Sequence, residues 1–260
     1  MHLPLSRAIA AHLDLLPEIG STNAELVARA SAGNEPDFSV VATTNQTAGR
    51  GRLGRQWVAP PGATVAVSVL LSPGRAPLER LGWVPLLAGL AMTRAVDSLV
   101  DTAEVSLKWP NDVQVDGLKV SGLLAELVPS ADAVVVGAGL NLTMTAEQLP
   151  VPTATSLVLA GVSPRNLLDL ALSRYLGELR VLWERFVASG LDAHSSGLRD
   201  AVTKACSTIG RNVRVELPGG EELFGLAEGV DEVGRLLVRS LADGSLQPVA
   251  AGDVTHLRYE

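Results

Sequence analysis

The chain has 260 residues with 21 Lys+Arg against 28 Asp+Glu, a formal charge of −7, the opposite of the excess expected on a surface built chiefly to grip a phosphate backbone. With 47% hydrophobic residues, there is apolar side chain enough to offset chain ordering, which excludes wholesale disorder. The longest apolar stretch, 84–92, falls well short of the ~20 residues a spanning helix needs.

A first helix is signalled after Gly20, where Thr22 and Glu25 have capping-box spacing and Leu26, Val27 and Ala30 supply an apolar face. Residues 38–43 read as a strand, and the Gly/Arg segment 48–55 as a loop, because neither helix nor strand tolerates that glycine density. Residues 64–70 alternate at period 2, the pattern of a strand with one buried face. Residues 83–100 form a long apolar helix, and 105–109 a strand stopped by Pro110-Asn111-Asp112. Asp116-Gly117 marks a two-residue hairpin between 113–115 and 118–127, since both turn positions favour positive φ. Residues 133–140 read as a buried strand. Ser163-Pro164 opens a second long helix, Ser as N-cap and Pro at the first helical position, running to Gly190. Beyond about residue 207 come short strands at 213–217, 223–228, 236–240 and 248–251, with a Pro218-Gly219-Gly220 turn, which suggests a small β-barrel. Strands that are not regularly separated by helices, together with hairpins, predict an α+β fold with a mixed sheet.

The single cysteine, Cys206, excludes an internal disulfide and fits a reducing compartment. His2, Arg7, His12 and Asp14 interrupt any signal-peptide-like run, so a cytoplasmic protein is expected. The four histidines, His2, His12, His194 and His256, show no metal-ligand spacing, and no zinc site is expected.

Five segments could carry chemistry. In Gly49-Arg50-Gly51-Arg52-Leu53-Gly54-Arg55 the glycines allow close backbone approach to a ligand, and the arginines offer planar forks for phosphate or carboxylate. No Gly-Lys-Ser/Thr follows, so it is not a Walker A loop. Its plainer readings are a solvated turn or a nonspecific RNA-binding patch. Lys108-Trp109-Pro110-Asn111-Asp112 presents an amide and a carboxylate at a sheet end, or is simply a β-turn. Lys119 stands in an apolar run; facing the core it would need an anion, facing solvent it would mean nothing, and strand parity leaves both open. Ser21-Thr22-Asn23 is a helix cap or a cluster that hydrogen-bonds a small polar ligand. Gln46 lies between a strand end and the Arg loop.

Taken together and in this order, with Lys119-Val120-Ser121-Gly122 and Gly137-Ala138-Gly139-Leu140-Asn141, these segments resemble the bacterial biotin protein ligases over roughly residues 21–142. The resemblance implies a class II synthetase-like biotin/lipoate ligase catalytic domain, 1–207, in which helices flank the mixed sheet, followed by a small C-terminal SH3-like β-barrel, 208–260. It implies an ATP-dependent ligase that forms biotinyl-5′-AMP and transfers biotin to a lysine of a carrier such as the biotin carboxyl carrier domain of acyl-CoA carboxylase, with Mg²⁺ accompanying ATP through ligands that cannot be named. By the same resemblance Ser21, Thr22, Asn23 and Gln46 lie at the biotin head group. Arg50, Gly51 and Arg52 belong to a loop that closes over the biotin tail and phosphates and is mobile without ligand. Lys119 lies near the carboxylate and α-phosphate and stabilises charge during adenylation. Lys108, Asn111, Asp112 and Asn141 border the nucleotide. Trp57 packs over the loop, near adenine or, as the favoured use, in the core. Only about twenty residues precede Ser21, too few for the winged-helix domain of some members, so DNA is not an expected partner, and the short apolar stretch makes a membrane equally unexpected. The family includes monomers and dimers, which leaves the oligomeric state open. The competing readings are a lipoate ligase or octanoyl transferase, the latter disfavoured because Cys206 lies outside the shared motifs, and a nucleic-acid-binding module.

Overall fold

The structure is a computed structural model that describes residues 2–33, 35–74, 76–217, 220–250 and 252–257. Its elements in chain order are α1 (Pro4–Arg7), β1 (His12–Leu16), α2 (Thr22–Ser31), β2 (Ser39–Thr43), β3 (Gly49–Arg50), β4 (Gln56–Trp57), β5 (Thr64–Leu71), α3 (Val84–Asp97), β6 (Val105–Lys108), β7 (Asp112–Val115), β8 (Leu118–Val128), β9 (Ala133–Asn141), α4 (Leu167–Ala188), α5 (Leu198–Ala205), β10 (Asn212–Glu216), β11 (Glu222–Val230), β12 (Leu236–Ser240), β13 (Leu246–Val249) and β14 (Asp253–His256). Seven strands form one sheet in the order β1-β2-β5-β9-β8-β7-β6. It is mixed: β1 and β2 run parallel, whereas the other neighbours are antiparallel. The C-terminal strands form a five-stranded antiparallel sheet, β13-β12-β11-β10-β14, where the sequence predicts a barrel. The Pro218-Gly219 half of the predicted turn and Ala251 lie outside the described residues. Among the described residues no helix is long and apolar enough to cross a membrane.

Helices α3 and α4 cover one face of the large sheet, packing Leu86, Leu87, Leu90, Tyr175 and Leu179 with Val67, Val69, Val136 and Leu140 into the main core. Helix α2 covers part of the other face through Leu26 and Ala30, against Val41, Leu70 and Val135. Strands β5 and β9 are buried along their whole length. The alternation in β5 is therefore not between core and water, as the sequence suggests. Large residues face α3 and α4, and small ones, Ala66 and Ser68, face the side of α2. Next to them on β9 stand Gly139 and Gly137. A patch of sheet surface cleared of side chains is thus left beside α2.

Several predicted boundaries move. Ser21, not Thr22, caps α2: it is extended and its hydroxyl accepts from Ala24 N at 3.4 Å. The second long helix begins at Leu167 behind an Asn166 in left-handed backbone that makes no side-chain cap, so Ser163-Pro164 belongs to the preceding turn. The long apolar segment starts as a 3-10 turn, 78–83, before α3. Strand β14 and helix α5 carry no strong sequence signal. The Asp116-Gly117 hairpin is as predicted, with φ of 49° and 78°.

The two sheets meet through backbone approaches and indoles. Trp83 Nε1 donates to Glu232 O at 2.8 Å, Trp109 N donates to Thr208 Oγ1 at 3.1 Å, and Ser207 N donates to Leu107 O at 2.9 Å. A Cβ on Gly82 would stand 2.3 Å from Val233 O, so no larger residue fits there without separating the sheets.

Candidate functional site

The cleared patch is the floor of a cavity of about 430 Å³. Its lining gathers Ser21, Thr22, Asn23, Gln46, Arg50, Gly51, Arg52, Lys108, Asn111, Asp112 and Lys119, eleven of the twelve residues the sequence singles out. Asn141 does not line it. That side chain is buried and donates to Thr155 O at 2.8 Å, steadying the 153–155 segment, which exchanges backbone hydrogen bonds with Lys119.

One end of the cavity is uncharged and tightly organised. The 45–47 segment runs beside Ile19, with Ile19 N donating to Asn45 O and Thr47 N to Ile19 O, which brings Gln46 to the first turn of α2. There Gln46 Oε1 accepts from Thr22 N at 2.9 Å and from Thr22 Oγ1 at 3.2 Å. The Ser68 hydroxyl lies 2.8 Å from Thr22 Oγ1 and 2.6 Å from Asn23 Oδ1. Asn23 Nδ2 donates to Glu126 Oε2 at 2.6 Å and to Leu124 O at 3.2 Å. Both protons of that amide are committed, so Asn23 has only its carbonyl oxygen left to offer; Gln46, its oxygen committed, has its NH₂ group. Gly137 is required here, because a Cβ would stand 2.2 Å from Asn23 Oδ1.

The other end is cationic. Lys119 Nζ lies 2.6 Å from Asp112 Oδ1, and Arg52 donates to Asn111 Oδ1 at 3.0 Å. Arg55 pairs with Asp253 of the small sheet, and Arg50 with Glu126 at 3.3 Å. Burial holds Lys108 below the usual lysine value, opposed by Asp112 and reinforced by Lys119 and Arg55. Burial likewise lowers Arg52, again opposed by Asp112 and reinforced by Arg55. Two cations disfavoured in this way gain most when an anion arrives.

The side that Lys119 faces, undecided by sequence parity, is settled by a β-bulge. The register of β7 on β8 shifts between Gln114↔Lys119 and Val113↔Ser121, which leaves Val120 unopposed. As a result Lys119 and Gly122, three residues apart, share a face: a Cβ on Gly122 would stand 3.0 Å from Lys119 Nζ. In an unbroken strand, residues three apart point opposite ways.

Trp57 corrects the favoured expectation of core packing. Its indole lies across the cavity floor, where a Cβ on Gly139 would meet its ring at 2.4 Å and one on Gly122 at 3.4 Å. Its buried Nε1 has no hydrogen-bond partner among the described residues. Sequence reasoning missed Ser68 and Glu126. The latter was within reach, being a lone charge two residues past the apolar run, 118–124, that drew attention to Lys119. Glu216, Asp253 and Thr255, which line the cavity from the small sheet, had no local signal at all.

A neutral hydrogen-bonding end joined to a cationic end, roofed by a Gly/Arg loop, defines a site for an elongated ligand with a polar head and an anionic tail. Comparison with known proteins agrees with that geometry. Residues 16–141 match the biotin/lipoate A/B protein ligase family, and residues 208–257 match the biotin protein ligase C terminal domain. The chain is 42% identical over 248 residues to the biotin–[acetyl-CoA-carboxylase] ligase of Mycobacterium tuberculosis, covering 95% of this chain and 89% of that one. It is 33% identical to the bifunctional ligase/repressor BirA of Escherichia coli, covering 93% and 73%. Among solved structures, the biotin protein ligase of Aquifex aeolicus in complex with biotin and ATP superposes with a TM-score of 0.71 at 26% identity, covering 96% of this chain and all of that one. The chain belongs to the biotin protein ligase family, and it is an enzyme of the ligase class.

Proposed function

We propose that the protein condenses biotin with ATP to give biotinyl-5′-AMP and pyrophosphate, then transfers the biotinyl group to one lysine of a carrier protein such as the biotin carboxyl carrier domain of acetyl-CoA carboxylase. The observation that carries this reading is the polarity of the cavity. The Asn23 carbonyl oxygen, which keeps one lone pair beside its contact with Ser68, and an uncommitted NH₂ at Gln46 match a ureido ring, which offers two N–H groups and one carbonyl. Five cations, Arg50, Arg52, Arg55, Lys108 and Lys119, surround the place where a carboxylate and a triphosphate must meet.

A carboxylate resists attack by an amine because it is already negative and lacks a leaving group. Attack of its oxygen on the α-phosphorus expels pyrophosphate and gives a neutral acyl carbon with AMP as leaving group. Lys119 is placed to stabilise the charge that builds during that displacement, with Asp112 holding its ammonium over Gly122. Arg52, anchored on Asn111, and Arg50 close the loop over the adenylate and shield the mixed anhydride from water. Lys108, Asn111 and Asp112 face the nucleotide. Asn141 supports Lys119 from behind instead of touching nucleotide.

Among the described residues no three His, Cys, Asp or Glu are grouped to hold a metal. Mg²⁺ would accompany ATP as MgATP, and Asp112 is the carboxylate in the cavity that would help hold it. The same proposal divides the chain into a catalytic unit, 1–207, and a C-terminal unit, 208–260, and places the protein in the cytoplasm, where ATP is supplied. The test is pyrophosphate release by the purified protein offered biotin, lipoate or octanoate with MgATP, followed by transfer to a carrier domain. Release with biotin alone is expected; release with lipoate alone would overturn the reading.

A further inference from the structure

The cavity's two halves share one side chain. Glu126 lies on β8, half-buried, with its Oε2 accepting from Asn23 Nδ2 at 2.6 Å and its carboxylate 3.3–3.4 Å from the Arg50 guanidinium. Its strand neighbours Leu124 and Gly122 line the floor, so its carboxylate stands where the floor ends and the Arg loop begins. Nothing in the reaction needs a carboxylate at that point, and none of the steps above uses it. Its placement nevertheless determines two things. An ionised carboxylate can only accept hydrogen bonds, so it draws the NH₂ of Asn23 toward itself and turns Oδ1 toward Ser68 and Gly137. The same carboxylate gives Arg50, whose side chain is 47% exposed, its ion pair, and Arg50 sits in a two-residue strand with little else to hold it.

The geometry points to Glu126 as a positioning residue that couples the head-group end of the site to the loop: one carboxylate fixes the orientation of the Asn23 amide and holds Arg50 in register above it. This rests on the biotin ligase reading for its ligand, though the coupling itself exists in the free protein. Asn23 and Arg50 both line the cavity, and on that reading both would meet the one bound molecule. A shift at Asn23 therefore reaches the loop through Glu126 without any rearrangement of the sheet, and closure of the loop bears on the head group in return.

Glu126→Gln separates the two tasks, because a glutamine carbonyl can still accept from Asn23 while the ion pair with Arg50 is lost. The first readout needs no ligand. Trypsin has cleavage sites at Arg52 and Arg55, and Glu126→Gln should raise cleavage there by about 2–5-fold, the loss expected of one partly exposed ion pair, with the melting temperature close to that of the parent. The second readout is calorimetric. Glu126→Gln should change biotin affinity less than about 2-fold, and Glu126→Ala, which frees the Asn23 amide to turn, should weaken it by about 10-fold. The third is a cycle: adding Glu126→Gln to Arg50→Ala should give no further rise in the rate of adenylate escape. Unchanged cleavage and unchanged escape in Glu126→Gln, or fully multiplicative effects in the cycle, would overturn the inference. Should the parent protein fail to activate biotin at all, the functional reading falls, and the trypsin comparison still decides whether Glu126 tethers the loop.

Discussion

The floor of the cavity and the loop above it are built on opposite physical plans. Ser68 is wholly buried, Thr22 and Asn23 nearly so, and their hydrogen bonds lock together over a surface of β5 and β9 stripped to Ala, Ser and Gly. The loop, by contrast, is a pair of two-residue strands joined by a 3-10 turn in which Leu53 takes φ 54° and is 59% exposed. Its cations are each fastened to one residue, Arg52 to Asn111, Arg50 to Glu126 and Arg55 to Asp253. An uncharged ring is held well only where donors and acceptors are fixed in advance, since each misplaced one is left unpaired and dry. Charge neutralisation tolerates looser geometry, because Coulomb attraction falls off slowly with distance, and a loop must open for substrates to enter.

That contrast makes separable claims about binding and chemistry. The largest effect is expected at Lys119. Lys119→Ala should lower biotin-dependent pyrophosphate exchange by about 100–1,000-fold, the loss seen when one transition-state charge stabiliser is removed, while calorimetric biotin affinity moves less than about 3-fold. Equal losses in both would place Lys119 on the floor's side of the comparison. Next comes the floor. Gly137→Ala forces Asn23 aside and should weaken biotin binding by about 10–100-fold, corresponding to the 1–3 kcal/mol typical of overpacking. Retained affinity in titration would show that the Asn23 amide is free to move. A smaller effect belongs to Arg52→Gly, which removes one charge-assisted hydrogen bond. Escape of biotinyl-AMP should quicken by about 10-fold with biotin affinity unchanged, measured by chasing labelled adenylate.

The smallest concerns the junction of the two sheets. His256, hydrogen-bonded to Thr208 Oγ1 at 3.1 Å, is pushed down to about 4 by burial first, then by Lys108 and Arg211. A histidine whose folded value lies below its unfolded one takes up protons on unfolding, so stability is intact above the ordinary value of 6.5 and is lost as the pH falls toward 4. Melting temperature should therefore drop between pH 7 and pH 5, and His256→Asn should lose part of that drop. A thermal shift series in which both proteins fall in parallel would remove His256 from the account.

Much of the site is legible along the chain because its parts are consecutive. Ser21-Thr22-Asn23, the Arg loop and Lys108 to Asp112 each bring their chemistry as a block, and all three reach one cavity. The Asp116-Gly117 turn is equally legible, since its chemistry lies in two adjacent residues. Where reading stops, the missing information is a relation between distant residues. Asn141 looks like its neighbours in a Gly-rich motif, yet strand register turns it to Thr155. Trp57 looks like core, but only the glycines of β8 and β9 show that its ring has a floor to rest on. Ser163-Pro164 has all the local marks of a helix start, and the chain turns once more before α4 begins.

Local order along the chain thus specifies which groups exist and how they cluster over a few residues: a cap, a hairpin, a run of small residues at every second position, a string of arginines between glycines. Side choice and partnership came from packing. The bulge at Val120 turned Lys119 toward the cavity, the pairing of β5 with β9 merged two sets of small residues into one floor, and the C-terminal sheet brought Asp253 against Arg55. The reason is that periodicity records what a residue needs around it, whereas the identity of its neighbour depends on strand register and on contacts made across long stretches of chain, which no short window contains.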